Sequence, residues 1–327
     1  MWRLVHRAVL LGVIVVAVEA ILLVSPLNPA EGKATFPAAW GDKHALATAP
    51  GEHRIILAGG SNVAFGVDST LIERSTGRST VNLGLHAGIG LSMMLNEVSD
   101  VARRGDLVVV IPEYEQFFGD LVDGGLAAIQ ILQANWSALA YVSTWYQWRN
   151  LSRDALMANR LAAMNRLDQA KRLIRGMTPA TPALAVRKVY DREAFDSRGD
   201  LTAHLALPTN PEAVLTGIGR LSGELNARAL VVLEHAADRV SSRGGHFVIV
   251  FPAVAESYWS VNHDRIESVA TSMPSRWTRT SPTEWVYHDP LFYDTPYHLA
   301  RQGRNRRTLQ LLAVLRPFLT NLDSNEK

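Results

Sequence analysis

The chain has 327 residues, 47% hydrophobic and 20% charged, which is enough apolar material for a packed core and too much for a disordered protein. With 33 basic against 31 acidic residues the net charge is +2, so there is no electrostatic footprint for nucleic acid. The absence of cysteine excludes disulfides, thiol catalysis and cysteine-ligated metal.

The first element is an apolar run from Ala8 to Ser25, interrupted by Glu19, with Arg3, His6 and Arg7 before it and Pro26 and Pro29 after it. Its length suits a single bilayer span, and the flanking arginines predict a cytoplasmic N-terminus. Residues 1–25 therefore read as a cytoplasmic flank and transmembrane anchor in the inner (plasma) membrane, with the rest of the chain periplasmic or extracellular. A cleaved signal peptide is the alternative, but no small-x-small site follows the run.

Residues 26–53, rich in Pro, Ala and Gly, read as a linker. Regular structure then begins at Arg54. The runs 54–59, Thr80–Leu83, Asp106–Ile111 and His246–Phe251 are short, β-branched and bounded by Gly, Asp or Pro, as buried parallel strands are. Helical stretches separate them at Ser69–Ser75, Leu91–Arg104 and Pro211–Arg243, with a last helix at Arg306–Phe318. This alternation predicts an α/β domain over 54–118 and 209–320, a flavodoxin-like three-layer arrangement around a doubly wound parallel sheet. Residues 119–208 form a helical insertion, with Leu126–Leu151 and Leu156–Ile174 at helical spacing and an irregular stretch from Met177 to Pro208. Its Trp136, Trp145 and Trp148 read as core, ahead of a sugar-binding cleft. Residues 321–327 are a polar tail.

The first strand ends in Gly59-Gly60-Ser61-Asn62. Glycines allow a sharp turn that stands the hydroxyl at the strand's carboxyl end, where open α/β sheets place their sites. Alone the turn is a weak signal, because Ser in such turns often caps the next helix. Three further segments strengthen it. Asn82-Leu83-Gly84-Leu85-His86-Ala87-Gly88 closes the second strand with glycines that leave an N–H for an oxyanion. Asp106 to Glu113 ends the third strand at the same edge. Phe292 to Leu299 brings Asp294 and His298 ahead of the last helix.

This layout resembles the SGNH (GDSL-like) hydrolase superfamily, and within it the membrane-anchored members that serve polysaccharide and cell-wall acylation, such as the alginate O-acetylation and teichoic-acid D-alanylation proteins. The resemblance covers about residues 54–118 and 244–318. It implies Ser61 as nucleophile, His298 as general base and Asp294 as its orienter, with the Ser61 and Gly84 N–H groups as oxyanion donors. The chain departs from the family's pattern in two places. Glu113 stands where the family has an Asn after the third strand, and a carboxylate opposes an oxyanion; loss of one such donor costs about 2.7–4 kcal/mol. Asn62 or Asn82 could substitute, or Glu113 could bind substrate hydroxyls. Asp294 also lies four residues before His298 where the family has three. Asp289 is the reserve candidate, and Pro296 can redirect that turn.

His86, beside the expected oxyanion loop, is a candidate substrate contact. His288 lies near Asp289 and His298, but the spacing lacks the helical logic of a zinc site, so no metal and no cofactor are expected. Arg304-Asn305-Arg306-Arg307 reads as solvated surface, with an anionic glycan or lipid headgroup as the lesser reading. The function implied is a membrane-anchored esterase or O-acyltransferase that works on a surface or exopolysaccharide through an acyl-serine. Its partners are then an acyl-ester or polysaccharide substrate and a membrane-bound acyl-transfer component. The alternative is a non-catalytic or weakly catalytic glycan-binding component of such a complex.

Overall fold

The computed structural model describes residues 34–175, 188–278 and 280–325, together with residues 2, 5–7, 10–14 and 17. The rest of the expected span 8–25 lies outside the described residues, as do residues 176–187 of the irregular stretch. Among the described residues no helix is long and apolar enough to cross a membrane.

The centre is a parallel sheet of four strands, β1 (Ile55–Gly59), β2 (Thr80–Asn82), β3 (Leu107–Ile111) and β4 (His246–Ile249), in the order β2-β1-β3-β4. Every residue of β1 and β3 is buried, which is why their sequences are unbroken apolar runs rather than alternating ones. On the edge strand β4, His246 is exposed. Pro252, which has no N–H to give a ladder, follows, and the chain makes a separate parallel pair, β5 (Val254–Ala255) with β6 (Val286–Tyr287).

In chain order the helices are α1 (Trp40–Thr48), α2 (Ser61–Gly66), α3 (Ser69–Thr76), α4 (Leu91–Val101), α5 (Leu126–Ala134), α6 (Trp145–Ile174), α7 (Pro211–Thr216), α8 (Ala227–Ser242), α9 (Glu256–Ser272) and α10 (Arg301–Asn325). α4 and α8 pack on each other and against β1 and β4, while α10 lies on α2 and α3. The sheet core contains Val63 of α2. A second apolar cluster takes Ala64 and Phe65 of the same helix and joins them to Phe36, Trp40, Met93, Ile129 and Leu151. The short serine helix is thus wedged between two cores.

Four expectations are corrected. The linker is not a free tether throughout. Phe36, Ala39 and Trp40 are buried, Trp40 Nε1 donates to Glu97 Oε2 at 2.8 Å, and buried Lys43 donates to the carbonyl of Asn82 at 3.0 Å. The helix expected over 211–243 is two, because Asn226 caps a new one after the glycine-bearing stretch 217–226. Trp136, Trp145 and Trp148 are 54%, 74% and 41% exposed: Trp136 opens the 3-10 turn Trp136–Tyr141, and α6 turns Gln147, Asn150, Leu151 and Ala155 inward and its own Trp145 and Trp148 outward. Arg304 and Arg307, one turn apart on the inner face of α10, are buried. Arg304 Nε donates to the carbonyl of Val67 at 2.7 Å, and the Arg307 guanidinium lies 3.6 Å from the centre of the Trp285 ring.

Candidate active site

Sheet register sets the first half of the site. Gly59 pairs with Ile111 across β1 and β3, so two residues later Ser61 and Glu113 emerge side by side at the carboxyl edge. The two glycines serve close approach rather than an unusual turn, since Gly60 has an ordinary extended backbone (φ −80°, ψ −153°). A Cβ on Gly59 would stand 2.3 Å from Val63 Cγ2, and one on Gly60 would stand 2.3 Å from Glu113 Oε1. The half-buried Ser61 opens α2 and donates its hydroxyl to Glu113 Oε1 at 3.1 Å. The Asn62 N–H reaches the same oxygen at 3.0 Å, and Asn62 Nδ2 is spent on the carbonyl of Ile111 at 3.1 Å.

Glu113 is 7% exposed. Burial first, and then the neighbouring Glu115, push its carboxyl up to about 7, against the Asn62 and Ser61 hydrogen bonds that favour the ionised form. Glu115 is itself raised by burial, although Tyr258 and Tyr297 both donate hydroxyls to it at 2.7 Å. One oxygen of Glu113, Oε1, is thus already held by Ser61 and Asn62.

The second half of the site comes from the loop before α10. His298 Nδ1 lies 2.8 Å from Asp294 Oδ1. The Thr295 Oγ accepts from the His298 N–H at 3.1 Å and closes the turn, so a four-residue separation still joins acid and imidazole. Asp289 is committed elsewhere, accepting from the Ser257 N–H and hydroxyl at 3.1 and 2.9 Å. Tyr190 donates to Asp294 Oδ2 and lies 3.2 Å from His298 Nδ1. Burial would raise the Asp294 carboxyl, but the His298 and Tyr190 hydrogen bonds outweigh it and hold the group below the ordinary carboxylate range. A carboxylate on Nδ1 keeps the proton there and leaves Nε2 as the basic nitrogen.

The His298 ring is stacked on Phe65, 3.8 Å between centroids at 3°. Phe65 is one helical turn beyond Ser61, so the imidazole lies beside the face of α2 that carries the serine. The structure thus joins His298 to Asp294 and Ser61 to Glu113, with no hydrogen bond between Ser61 and His298.

The expected oxyanion donors are largely spent. The Gly84 N–H donates to Asn82 Oδ1 at 2.8 Å, while Asn82 Nδ2 donates to the carbonyl of Val63 at 3.1 Å and to Asp200 Oδ1 at 2.8 Å. Gly84 is a glycine because a Cβ would stand 2.5 Å from that of Val63. His86 is exposed at the rim, its Nδ1 accepting from the Gly88 N–H at 2.9 Å. Protein packed around it, and then His298, disfavour its protonation. His288 pairs with Glu256 at 2.7 Å, and among the described residues no group of three His, Asp or Glu is arranged to hold a metal.

Sequence reasoning missed Phe65, Tyr190 and the tyrosines on Glu115. Phe65 had a signal, being one turn from the serine; Tyr190, in the irregular stretch, had none. Next to Glu115 opens a cleft of about 400 Å³, lined also by Phe118, Asp120, Arg153, Asp154 and Arg220. Compared with known proteins, the chain matches no family model and no curated relative.

Proposed function

We propose that the chain is a membrane-anchored, extracytoplasmic serine esterase or O-acyltransferase of SGNH type that acts on a surface or exopolysaccharide through an acyl-Ser61 intermediate. The observation that carries this reading is the His298–Asp294 pair laid on Phe65, one helical turn from Ser61. Acylation requires the Ser61 side chain to rotate its hydroxyl from Glu113 toward Nε2, a looser geometry of the kind apo sites often show. Ser61 Oγ then attacks the ester carbonyl carbon as its proton passes to Nε2. The tetrahedral intermediate collapses, the ester C–O bond breaks, and the leaving alcohol takes that proton. Water or a sugar hydroxyl reverses the sequence, giving hydrolysis or transfer.

Three features support the wider reading. The order β2-β1-β3-β4 is that of the first four strands of a flavodoxin-like sheet, and Ser61 and Glu113 straddle the β1/β3 crevice where strand order reverses. The cleft beside Glu115 has the mixed charged wall that suits a hydroxyl-rich acceptor. The apolar run 8–25 with its basic flank supports an anchor and a membrane-bound acyl-transfer partner.

Ser61→Ala is expected to abolish acetate release from a simple acetyl ester, and a fluorophosphonate is expected to label Ser61. Full activity in the variant overturns the assignment. The Ser61–Glu113 hydrogen bond favours a second reading, a glycan-binding component with an idle site. Folded protein that resists the fluorophosphonate but binds the polysaccharide decides for that reading. Protease accessibility in spheroplasts tests the topology, since protection of the domain contradicts an extracytoplasmic position.

A further inference from the structure

We infer that Glu113 acts in its neutral acid form as the oxyanion donor of this site, its carboxyl O–H taking the place of an amide N–H. The inference rests on the esterase reading above and gives a role to the one group that reading leaves idle.

The geometry sets the position of the carboxyl and the oxygen that would carry its proton. Oε1 receives the Ser61 hydroxyl at 3.1 Å and the Asn62 N–H at 3.0 Å, and the carboxyl also accepts from the backbone N–H groups of Ser61 and Gln116. With two donors already aimed at Oε1, a proton on the carboxyl belongs on Oε2, and the donor role requires that this O–H turn to the ligand. Once Ser61 Oγ has bonded to the acyl carbon, the oxyanion lies two bonds from Oγ and so forms beside this same carboxyl. The carboxyl is also held in place. The Glu113 N–H donates to Gln116 Oε1 and Gln116 Nε2 donates to the carbonyl of Ala87, both at 3.0 Å, and Gly60 has no Cβ to push the carboxyl away. The Gly84 N–H, the other expected donor, is committed to Asn82, so the site needs a replacement.

Charge decides between the two forms of Glu113. An ionised carboxylate would face the oxyanion as a like charge, whereas a neutral acid donates to it, as buried carboxylic acids do in other oxyanion sites. Burial and the neighbouring Glu115 favour the neutral form, against the hydrogen bonds from Ser61 and Asn62, which favour the ionised one. Glu115 stands on the same turn, and Tyr258 from α9 and Tyr297 from the loop before α10 both donate to Glu115 rather than to Glu113. Ser61 and Asn62 face it from α2, and His86 lies on the loop that passes Gly60. With a carboxyl raised to about 7, the neutral acid prevails below that pH and is lost above it.

In the reaction the donated proton stays on Oε2. The carbonyl π bond opens as the Ser61 Oγ–C bond forms, charge collects on the carbonyl oxygen, and the Oε2–H hydrogen bond shortens onto it. The serine's proton goes to His298 Nε2, so Glu113 takes no part in the proton balance.

The test uses the full chain with 4-nitrophenyl acetate over pH 5–9, a fluorophosphonate label read at Ser61, and thermal melts to check folding. Glu113→Gln keeps a donor of nearly the same shape and cannot ionise. It is expected to retain activity within about tenfold of wild type and to lose the decline that wild type shows as pH rises through about 7. Glu113→Ala, with no donor, is expected to lose about 10²–10³-fold in kcat. A labelled, active wild type in which E113Q is as slow as E113A overturns the inference, because the carboxylate is then needed as a base. So does an E113Q that keeps the alkaline decline, or an E113A with full activity. A wild type that is neither labelled nor hydrolytic overturns the esterase reading, and this inference with it.

Discussion

The imidazole of His298 lies flat on the ring of Phe65, 3.8 Å between centroids and 3° from parallel. Because Phe65 and Ser61 share α2, the stack ties the expected base to the helix of the expected nucleophile, while Asp294 sets only the rotation of the ring. Phe65→Leu, which conserves much of the volume, is expected to cost less than about 1.5 kcal/mol of stability and up to about 10²-fold in kcat, as misplaced groups do. Phe65→Ala empties a fully buried site and is expected to cost about 3–5 kcal/mol. Urea unfolding and ester hydrolysis on the same samples separate the two effects. An unchanged kcat in the Leu variant would mean that the stack positions nothing.

Asp294 carries two hydrogen bonds, from His298 and from Tyr190, and the two are expected to differ in weight. Asp294→Asn presents the wrong donor pattern to Nδ1, and kcat is expected to fall by roughly 10⁴. Tyr190→Phe removes one hydrogen bond to a charged group, worth about 1.5–3 kcal/mol, and so roughly a 10- to 150-fold loss. Asp289→Asn touches only the start of α9 and should leave kcat within about threefold of wild type, with its cost confined to a loosened cap. A large kcat loss in that variant would make Asp289, not Asp294, the partner of His298.

What was legible in the sequence is local. Unbroken apolar runs announced β1 and β3 because both faces of those strands are covered, and Ser61, Asp294 and His298 stood in chain order around them. What was not legible depends on register and packing. Nothing in the chain near Gly60 says that a carboxylate 53 residues on will fill the space its missing Cβ leaves; the Gly59–Ile111 pairing does that. Arg304 and Arg307 read as surface because charge runs are usually solvated, yet Asp200 and the Trp285 ring await them inside. Tyr190 reaches Asp294 from a stretch with no periodicity at all, so only the folded chain reveals it.

Asp200 shows how that irregular stretch is fastened. Fully buried, it accepts from the Ser69 N–H at 2.7 Å, the Ser69 hydroxyl at 2.6 Å, Asn82 Nδ2 at 2.8 Å and Arg304 Nη2 at 2.7 Å. It joins α3, β2 and α10 through one carboxylate. Asp200→Ala leaves the buried Arg304, among the described residues, only Asp68, at 4.0 Å, as a carboxylate partner and is expected to cost about 3–5 kcal/mol in urea unfolding. Pairing it with Arg304→Met should recover part of that loss, since the buried charge is then gone. A double variant no more stable than Asp200→Ala alone would show that the ion pair is not where the cost lies.

His204 makes the acid side of the stability curve testable. It is 1% exposed, and its Nε2 donates to the carbonyl of Leu299 at 3.0 Å while Nδ1 has no partner. Protonation would put a second N–H on Nδ1 with nothing to receive it. Burial is the main reason its imidazole is lowered to about 4; the Leu299 hydrogen bond opposes this, and the Arg304 and His298 charges add to it. In the unfolded chain the ordinary value is about 6.5. Between those two pH values the unfolded state binds a proton on His204 that the native state does not, so this residue's contribution to stability is full above about 6.5 and falls by about 1.4 kcal/mol per pH unit as pH drops toward 4. The whole loss is about 3 kcal/mol. His204→Gln keeps an N–H for Leu299 and has no group to titrate, so its melting temperature should rise relative to wild type as pH drops through that window; the raised carboxyl of Glu113 acts with the opposite sign over the same range, but in both proteins alike, so the difference between them reports His204. Asp294, held low, gives up its own contribution only at pH below its ordinary value, outside the window and in both proteins alike. Parallel melting curves for the two proteins between pH 7 and 4 would show that His204 is not the group responsible.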